Sequence, residues 1–141
     1  MADAFSEYLA NIVRYPLLNK NQEIMLARQV QVWIQAEEPT KAQVRSGERA
    51  YKKLINCNLR LVVSVAKKFR NRINKSEMLD LVQEGNIGLA HGIKKFDPER
   101  GYALSTYVYW WIRQAISRYL SCSDRVIRLP SHAVEMLSRI K

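Results

Sequence analysis

Tyr107-Val-Tyr-Trp-Trp-Ile-Arg-Gln-Ala-Ile-Ser-Arg-Tyr-Leu120 is the stretch whose spacing decides the fold. At about 100° per residue, Val108, Ile112, Ala115, Ile116 and Tyr119 fall within an arc of about 100°, which is an ordinary buried stripe. Tyr107, Trp110, Trp111, Gln114, Ser117 and Arg118 fall on the opposite side, within an arc of about 120°. One helix seldom serves two cores. The second face either packs its tryptophans against another helix, the commoner fate of aromatics, or presents them to a ligand. Gln114 and Arg118 are poor core residues. Aromatics mixed with Arg and Gln suit stacking on bases and contact with phosphates, and Gln can bond an adenine edge twice.

Outward from this helix the chain keeps helical spacing. It has only 5 Gly and 4 Pro, and no long run alternates strictly. A first helix is expected over about residues 5–14, ending before Tyr15-Pro16 because proline disfavours helix in the residue before it. Asn19 with Gln22 forms a capping box for a second helix to about residue 35, and Glu38-Pro39-Thr40 breaks it. A basic helix is expected over about 47–70, with Leu54, Leu61, Val62, Val65 and Phe69 as its apolar stripe. Ser76 can cap the next, which ends near Phe96-Asp97-Pro98. Arg100-Gly101 makes a turn, Ser105 opens the two-faced helix to about residue 121, and Pro130-Ser131 starts a last one. The expected fold class is all-α, an irregular helical bundle.

The 141 residues carry 23 basic against 13 acidic side chains, a net charge of +10, distributed in blocks. Residues 1–40 are net −2, 41–75 net +10, 76–109 net −2 and 110–141 net +4. Basic blocks suit a polyanion and acidic ones a different partner. A composition 48% hydrophobic argues against disorder, and no apolar run approaches the ~20 residues of a membrane span. The N-terminus lacks the blocks of a secretion signal, and two cysteines make no disulfide framework, so a reducing compartment is expected.

Asp80, Gln83, Glu84 and Ile87 lie on one helical face at i, i+3, i+4 and i+7. An acidic face repels DNA, so a protein partner competes there with a merely solvated surface. Gly85, Gly88 and Gly92 share another side of that helix, where glycine costs ~1 kcal/mol each, which suggests close approach by a neighbouring backbone. No Gly-rich phosphate loop occurs. Cys57, Cys122, His91 and His132 have no metal-site spacing, and no acid–base constellation accompanies the carboxylates; neither metal, cofactor nor enzymatic activity is expected.

Three blocks closely resemble bacterial RNA polymerase sigma factors of the housekeeping type: Asn58-Leu-Arg-Leu-Val-Val-Ser-Val-Ala-Lys-Lys68, Asp80-Leu-Val-Gln-Glu-Gly-Asn-Ile-Gly-Leu89 and Ser105-Thr-Tyr-Val-Tyr-Trp-Trp-Ile-Arg-Gln-Ala-Ile116. Arg125-Val-Ile-Arg-Leu-Pro-Ser-His132 continues the similarity, and a weaker match begins near Tyr8 and includes Pro16-Leu-Leu18. The resemblance implies region 1.2-like helices over 1–40, a region 2-like helical domain over 41–124 and the first helix of region 3 over 125–141. It implies a cytoplasmic protein, bacterial or plastid, that joins core RNA polymerase, recognises the promoter −10 element and melts the duplex by capturing flipped non-template bases. An anti-sigma factor is a further partner of this kind of protein. The rivals are a general basic single-strand binder and a helical adaptor with its tryptophans in a core.

By this resemblance Asp80, Gln83, Glu84 and Asn86 dock on the β′ coiled coil of the polymerase. Gln114 and Ser117 read the upstream duplex edge, and Trp110 and Trp111 wedge at the melting junction. Tyr107 stacks where a flipped adenine leaves the helix, with Phe96, Asp97 and Arg100 lining the pocket and Tyr102 beside it. Asn58, Leu61, Ser105 and Thr106 hold a second flipped base; His132 and Glu135 contact an extended −10 sequence; Tyr8 and Leu9 fall where the family touches the discriminator. Lys67, Lys68, Arg113 and Arg118 anchor phosphates rather than specify sequence. The chain departs from the family pattern at Leu104, where an aromatic is common, at Ala10, where a basic residue is common, and in a slightly longer loop over 71–78. It stops within its last expected helix, which suggests a piece of a longer protein.

Overall fold

The structure, a computed structural model, describes residues 4–72 and 78–123. Those residues form six α-helices: α1 (Ala4–Ile12), α2 (Lys20–Gln35), α3 (Lys41–Cys57), α4 (Leu59–Lys67), α5 (Met78–Lys95) and α6 (Leu104–Ser123). Short 3₁₀ turns stand at Arg70–Arg72 and Pro98–Arg100. There is no strand among the described residues, so the expected all-α class holds. No helix among them is long and apolar enough to cross a membrane.

Capping places α2 where it was expected. Asn19 Oδ1 accepts from the Gln22 amide at 2.8 Å while Gln22 Oε1 accepts from the Asn19 amide at 3.0 Å. A second capping box was missed. Thr40 and Gln43 exchange the same pair of bonds, at 3.1 and 2.9 Å, and start α3 at Lys41 rather than near Gly47. Pro39-Thr40 therefore both stops one region and opens the next helix. The single basic helix expected over 47–70 is two helices, divided at Asn58. Asn58 Nδ2 donates to the Leu54 carbonyl at 2.7 Å, and this side-chain bond competes with the backbone ladder. The chain turns there and resumes as α4. The first helix ends at Ile12, two residues before the expected end. The helix expected from Pro130 lies outside the described residues.

The core centres on α5 and α6, packed side by side with α4 across them. Leu81, Leu89, Val62, Leu104, Val108, Ile112 and Ile116 are fully buried there. Each such side chain contributes roughly 1.5–3 kcal/mol relative to exposure. Leu104, one of the departures noted from the sequence, is part of this core. Glycines set the spacing of α5. A Cβ on Gly88 would stand 2.4 Å from the Trp111 carbonyl oxygen and 2.9 Å from the Ala115 Cβ. One on Gly85 would meet Val62, and one on Gly92 the Trp111 ring. The close approach read from the three glycines is thus intramolecular.

α2 and α3 pack together on the far side of α5, with the Trp33 ring over Gly47 and edge-on to Tyr51 at 6.2 Å between centroids. α1 is fastened by polar contacts. Arg60 Nη2 donates to the Val13 and Tyr15 carbonyls at 2.9 and 3.3 Å, and Asn86 Nδ2 donates to the Tyr8 hydroxyl at 3.2 Å.

Between α5 and α6 the chain reverses through Asp97–Gly101. Asp97 Oδ1 accepts from the Glu99 amide at 3.0 Å, and Gly101 takes the left-handed conformation at φ 85°. The bond from the Glu99 backbone, helped by Gln31 and Arg100, holds the Asp97 carboxyl below its ordinary value.

Two outcomes follow from these contacts. Gly88→Ala should lower stability by about 2 kcal/mol in urea unfolding, despite alanine's better helix propensity, because rigid backbone stands in the way. Asp97 should titrate below a free aspartate by NMR. Since its folded value is the lower one, its contribution to the turn is complete above the ordinary carboxylate range and is lost as pH falls through that folded value.

Candidate nucleic-acid and protein interface

The two tryptophans of α6 have different surroundings. Trp111 is half-buried against Gly88 and Gly92, with the Lys95 ammonium 6.0 Å from its ring centroid. Trp110, one residue on, is 61% exposed, with the Arg113 guanidinium 5.8 Å from its ring centroid. Gln114 and Arg118 are exposed and Ser117 is half-buried. The second face is therefore divided in its burial. Its Trp111 edge is packing, and its Trp110–Gln114–Arg118 edge is open surface. The buried stripe is Leu104, Val108, Ile112, Ile116 and Leu120, while Ala115 and Tyr119 are only partly covered.

At the N-terminal end of α6 four rings form a chain. Tyr102 stacks on Tyr107 at 5.6 Å with 24° between planes, and Phe96 meets both at 5.8 and 5.7 Å. Tyr107 continues to Trp111 at 6.4 Å. Phe96 is buried and Tyr102 is at the surface. Arg100 is exposed beside them, its Nε 3.5 Å from Asp97 Oδ2. The residues expected to surround a captured base, Phe96, Asp97, Arg100, Tyr102 and Tyr107, are therefore brought together by one turn and one helix start. In this state the free face of Tyr107 is partly taken by Tyr102.

The other expected contacts divide. Ser105 and Thr106 are exposed at the first turn of α6, and Leu61 is half-buried on α4. Asn58 is buried, its amide engaged within the chain's own turn. Lys67 is exposed. Lys68 bonds to the Tyr109 hydroxyl at 3.3 Å and lies 5.0 Å from that ring's centroid, tying α4 to α6. Tyr109 was not singled out from the sequence; a lysine–tyrosine pair 41 residues apart leaves no local pattern. Tyr8 and Leu9 are partly buried on α1. His132 and Glu135 lie outside the described residues.

On α5, Asp80 and Gln83 are exposed, Glu84 half-buried and Ile87 53% exposed. Asn86 falls off this stripe and beneath α1, where Tyr8 covers it. A groove of about 670 Å³ runs between the two helices, with Glu84 and Ile87 on one wall and Trp110, Gln114 and Arg118 on the other. The acidic face and the aromatic face thus meet along one trough. Cys57 is buried and burial pushes its thiol up, with Lys53 opposing. No group of three or more metal-binding side chains occurs among the described residues.

Comparison with known proteins gives these surfaces a context. The family Sigma-70 region 2 matches residues 54–126, and Sigma-70 factor, region 1.2, matches residues 3–36. RNA polymerase sigma factor SigA4 of Synechococcus elongatus is 45% identical across 99% of this chain and 47% of its own length. SigA2 of the same organism is 42% identical, across 99% of this chain and 51% of its own. The RNA polymerase sigma-B factor of a Nostoc species is 45% identical, across 99% of this chain and 50% of its own. This chain spans about half the length of these relatives. With both family segments present in order and 42–45% identity over alignments that cover 99% of the chain, the chain belongs to the sigma-70 family of RNA polymerase sigma factors.

Proposed function

We propose that this chain is the promoter-opening part of a sigma factor, acting in the bacterial cytoplasm without enzymatic activity. It binds core RNA polymerase through the acidic side of α5 and recognises the −10 element through α6 and the turn before it. The observation that carries this reading is the open edge of α6, where Trp110 is 61% exposed in one groove with Gln114 and Arg118, three residues along the helix from Tyr107 of the Phe96–Tyr102–Tyr107 rings.

The chemistry is additive. Extruding a base costs a few kcal/mol of stacking, and each base stacked on an aromatic returns about 1–3 kcal/mol. Tyr107 stacks on a flipped adenine once Tyr102 yields its place, and Trp110 stands where the duplex ends. Gln114 and Ser117 meet base edges; Lys67, Arg113 and Arg118 meet phosphates. Asn58, Leu61, Ser105 and Thr106 supply a second, smaller base site, and Tyr8 and Leu9 contact the discriminator. His132 and Glu135 extend the reading upstream. Residues 1–40, 41–124 and 125–141 correspond to region 1.2, region 2 and the start of region 3.

On the protein side, Asp80, Gln83 and Glu84 offer carboxylates and an amide around exposed Ile87, which suits a basic helical partner such as the β′ coiled coil. Asn86 takes part at the edge, through its bond to Tyr8. An anti-sigma factor would compete for the same surface.

Single strands carrying the −10 sequence should bind more tightly than scrambled ones at moderate salt, and Trp110→Ala should weaken that binding by about tenfold, as loss of one stacking platform does. Equal affinity for both strands in a titration would favour a general single-strand binder instead. Glu84→Arg should reduce capture of core polymerase in a pull-down, although its new positive charge, in the same trough as Trp110 and Arg118, tightens strand binding; unaltered capture would remove α5 from the docking surface.

A further inference from the structure

Two long-range contacts join α2 to the turn beneath the aromatic rings. Arg28 Nε donates to Glu99 Oε1 at 2.7 Å, and Gln31 Nε2 donates to Asp97 Oδ1 at 3.4 Å. Arg28 and Gln31 are three residues apart on one face of α2, and Glu99 and Asp97 sit on the same short turn. The turn's own bonds are few. Asp97 holds the Glu99 amide, the Arg100 amide donates to the Asp97 carbonyl at 3.3 Å, and the Arg100 side chain reaches back to the Asp97 carboxylate. Gly101 then supplies the reversal, with no other atom within 4 Å of where its Cβ would be. Nothing but α2 reaches the outer side of Glu99 through a hydrogen bond or ion pair among the described residues.

We propose that Arg28 and Gln31 are positioning residues for base capture: from α2 they brace the Asp97–Gly101 turn, and so fix the separation of Phe96 from Tyr102 and the stacking of Tyr102 on Tyr107. The inference rests on the reading of these rings as the base pocket. Neither residue reaches the rings itself. The ion pair is solvent-exposed, 57% at Arg28 and 59% at Glu99, and such pairs add little to global stability. Its effect is local. Phe96 enters the turn and Tyr102 leaves it, so a shift of the turn changes the gap that a flipped base must enter. The guanidinium's directed Nε–H suits this better than an ammonium, since a planar donor fixes the direction as well as the distance.

The 141-residue chain itself tests this. Variants Arg28→Glu, Glu99→Arg and the charge-swapped pair are compared, with Arg28→Lys as a variant that keeps charge and helix propensity. Without DNA, the Tyr102 and Tyr107 ring resonances should shift in each single variant and return in the swap. With DNA, affinity is measured for a −10 single strand and for the same strand made abasic at the flipped adenine. The preference for the intact strand should fall about two- to fivefold in the single variants and recover in the swap, while Arg28→Lys loses part of it. Taking the ratio cancels any general attraction that the new arginine brings.

Unmoved ring resonances, or an equal loss on both strands, would overturn the brace. If the rings move and recover while the unaltered chain prefers neither strand, the brace stands and the base-pocket reading falls. If the unaltered chain prefers the intact strand and the variants keep that preference undiminished, the pocket stands and the brace falls.

Discussion

The contact between the α5 backbone and the first half of α6 governs most of what the molecule presents. Gly88 lets the two helices approach until the Trp111 carbonyl and Ala115 lie where a side chain would otherwise be. At that separation Ile112, Ile116 and Val62 of α4 converge on Gly85, and all three are fully buried. The same separation decides the fate of the tryptophan pair. Trp111 drops against Gly92, and Trp110, about 100° further back around the helix, is left outside. The exposed face is thus a by-product of how closely two helices pack.

The polar contacts do a different task. Arg60, Asn86, Arg28 and Gln31 each tie the N-terminal helices to the central ones at a distance of many tens of residues. The Arg28–Glu99 pair is exposed and its value is directional rather than cohesive, whereas Arg60 Nε and Asn86 Oδ1 are buried. These contacts hold α1 and α2 to the edges of the domain where Tyr8 and the Asp97–Gly101 turn lie. The family segment over 3–36 is therefore fastened to the one over 54–126 at two separate points.

Much of this was legible in the chain. Periodicity found α2, α5 and α6, and Asn19 with Gln22 marked a start to the residue, because capping is local chemistry. The division of α3 from α4 was not legible. Its cause is one amide choosing the Leu54 carbonyl over solvent, and the surrounding apolar spacing continues through it. The start of α3 was missed because Pro39 drew attention as a breaker, although Thr40 and Gln43 carry the cap pattern. For the site, the aromatic, amide and guanidinium content of α6 was plain, and so was its two-sidedness. Which tryptophan would be inside was not, since both fall on the same arc and only the glycines of another helix separate them. The α2 contacts to the turn leave no sequence trace: they join positions 71 and 66 residues apart, and each partner is an ordinary surface residue.

The division of labour between neighbouring tryptophans bears on how such a domain can diversify. Trp110, Gln114 and Arg118 lie outside the packed interior, so exchanging them alters the exposed surface and leaves the interior as it was. Trp111 and Gly88 allow no such freedom, because each fills or vacates space the other needs. On the proposed reading, base contact and foldability are therefore carried by adjacent residues under separate constraints. A duplicated copy of the gene could drift toward new target sequences through substitutions on one edge of one helix, with no compensating change elsewhere in the protein.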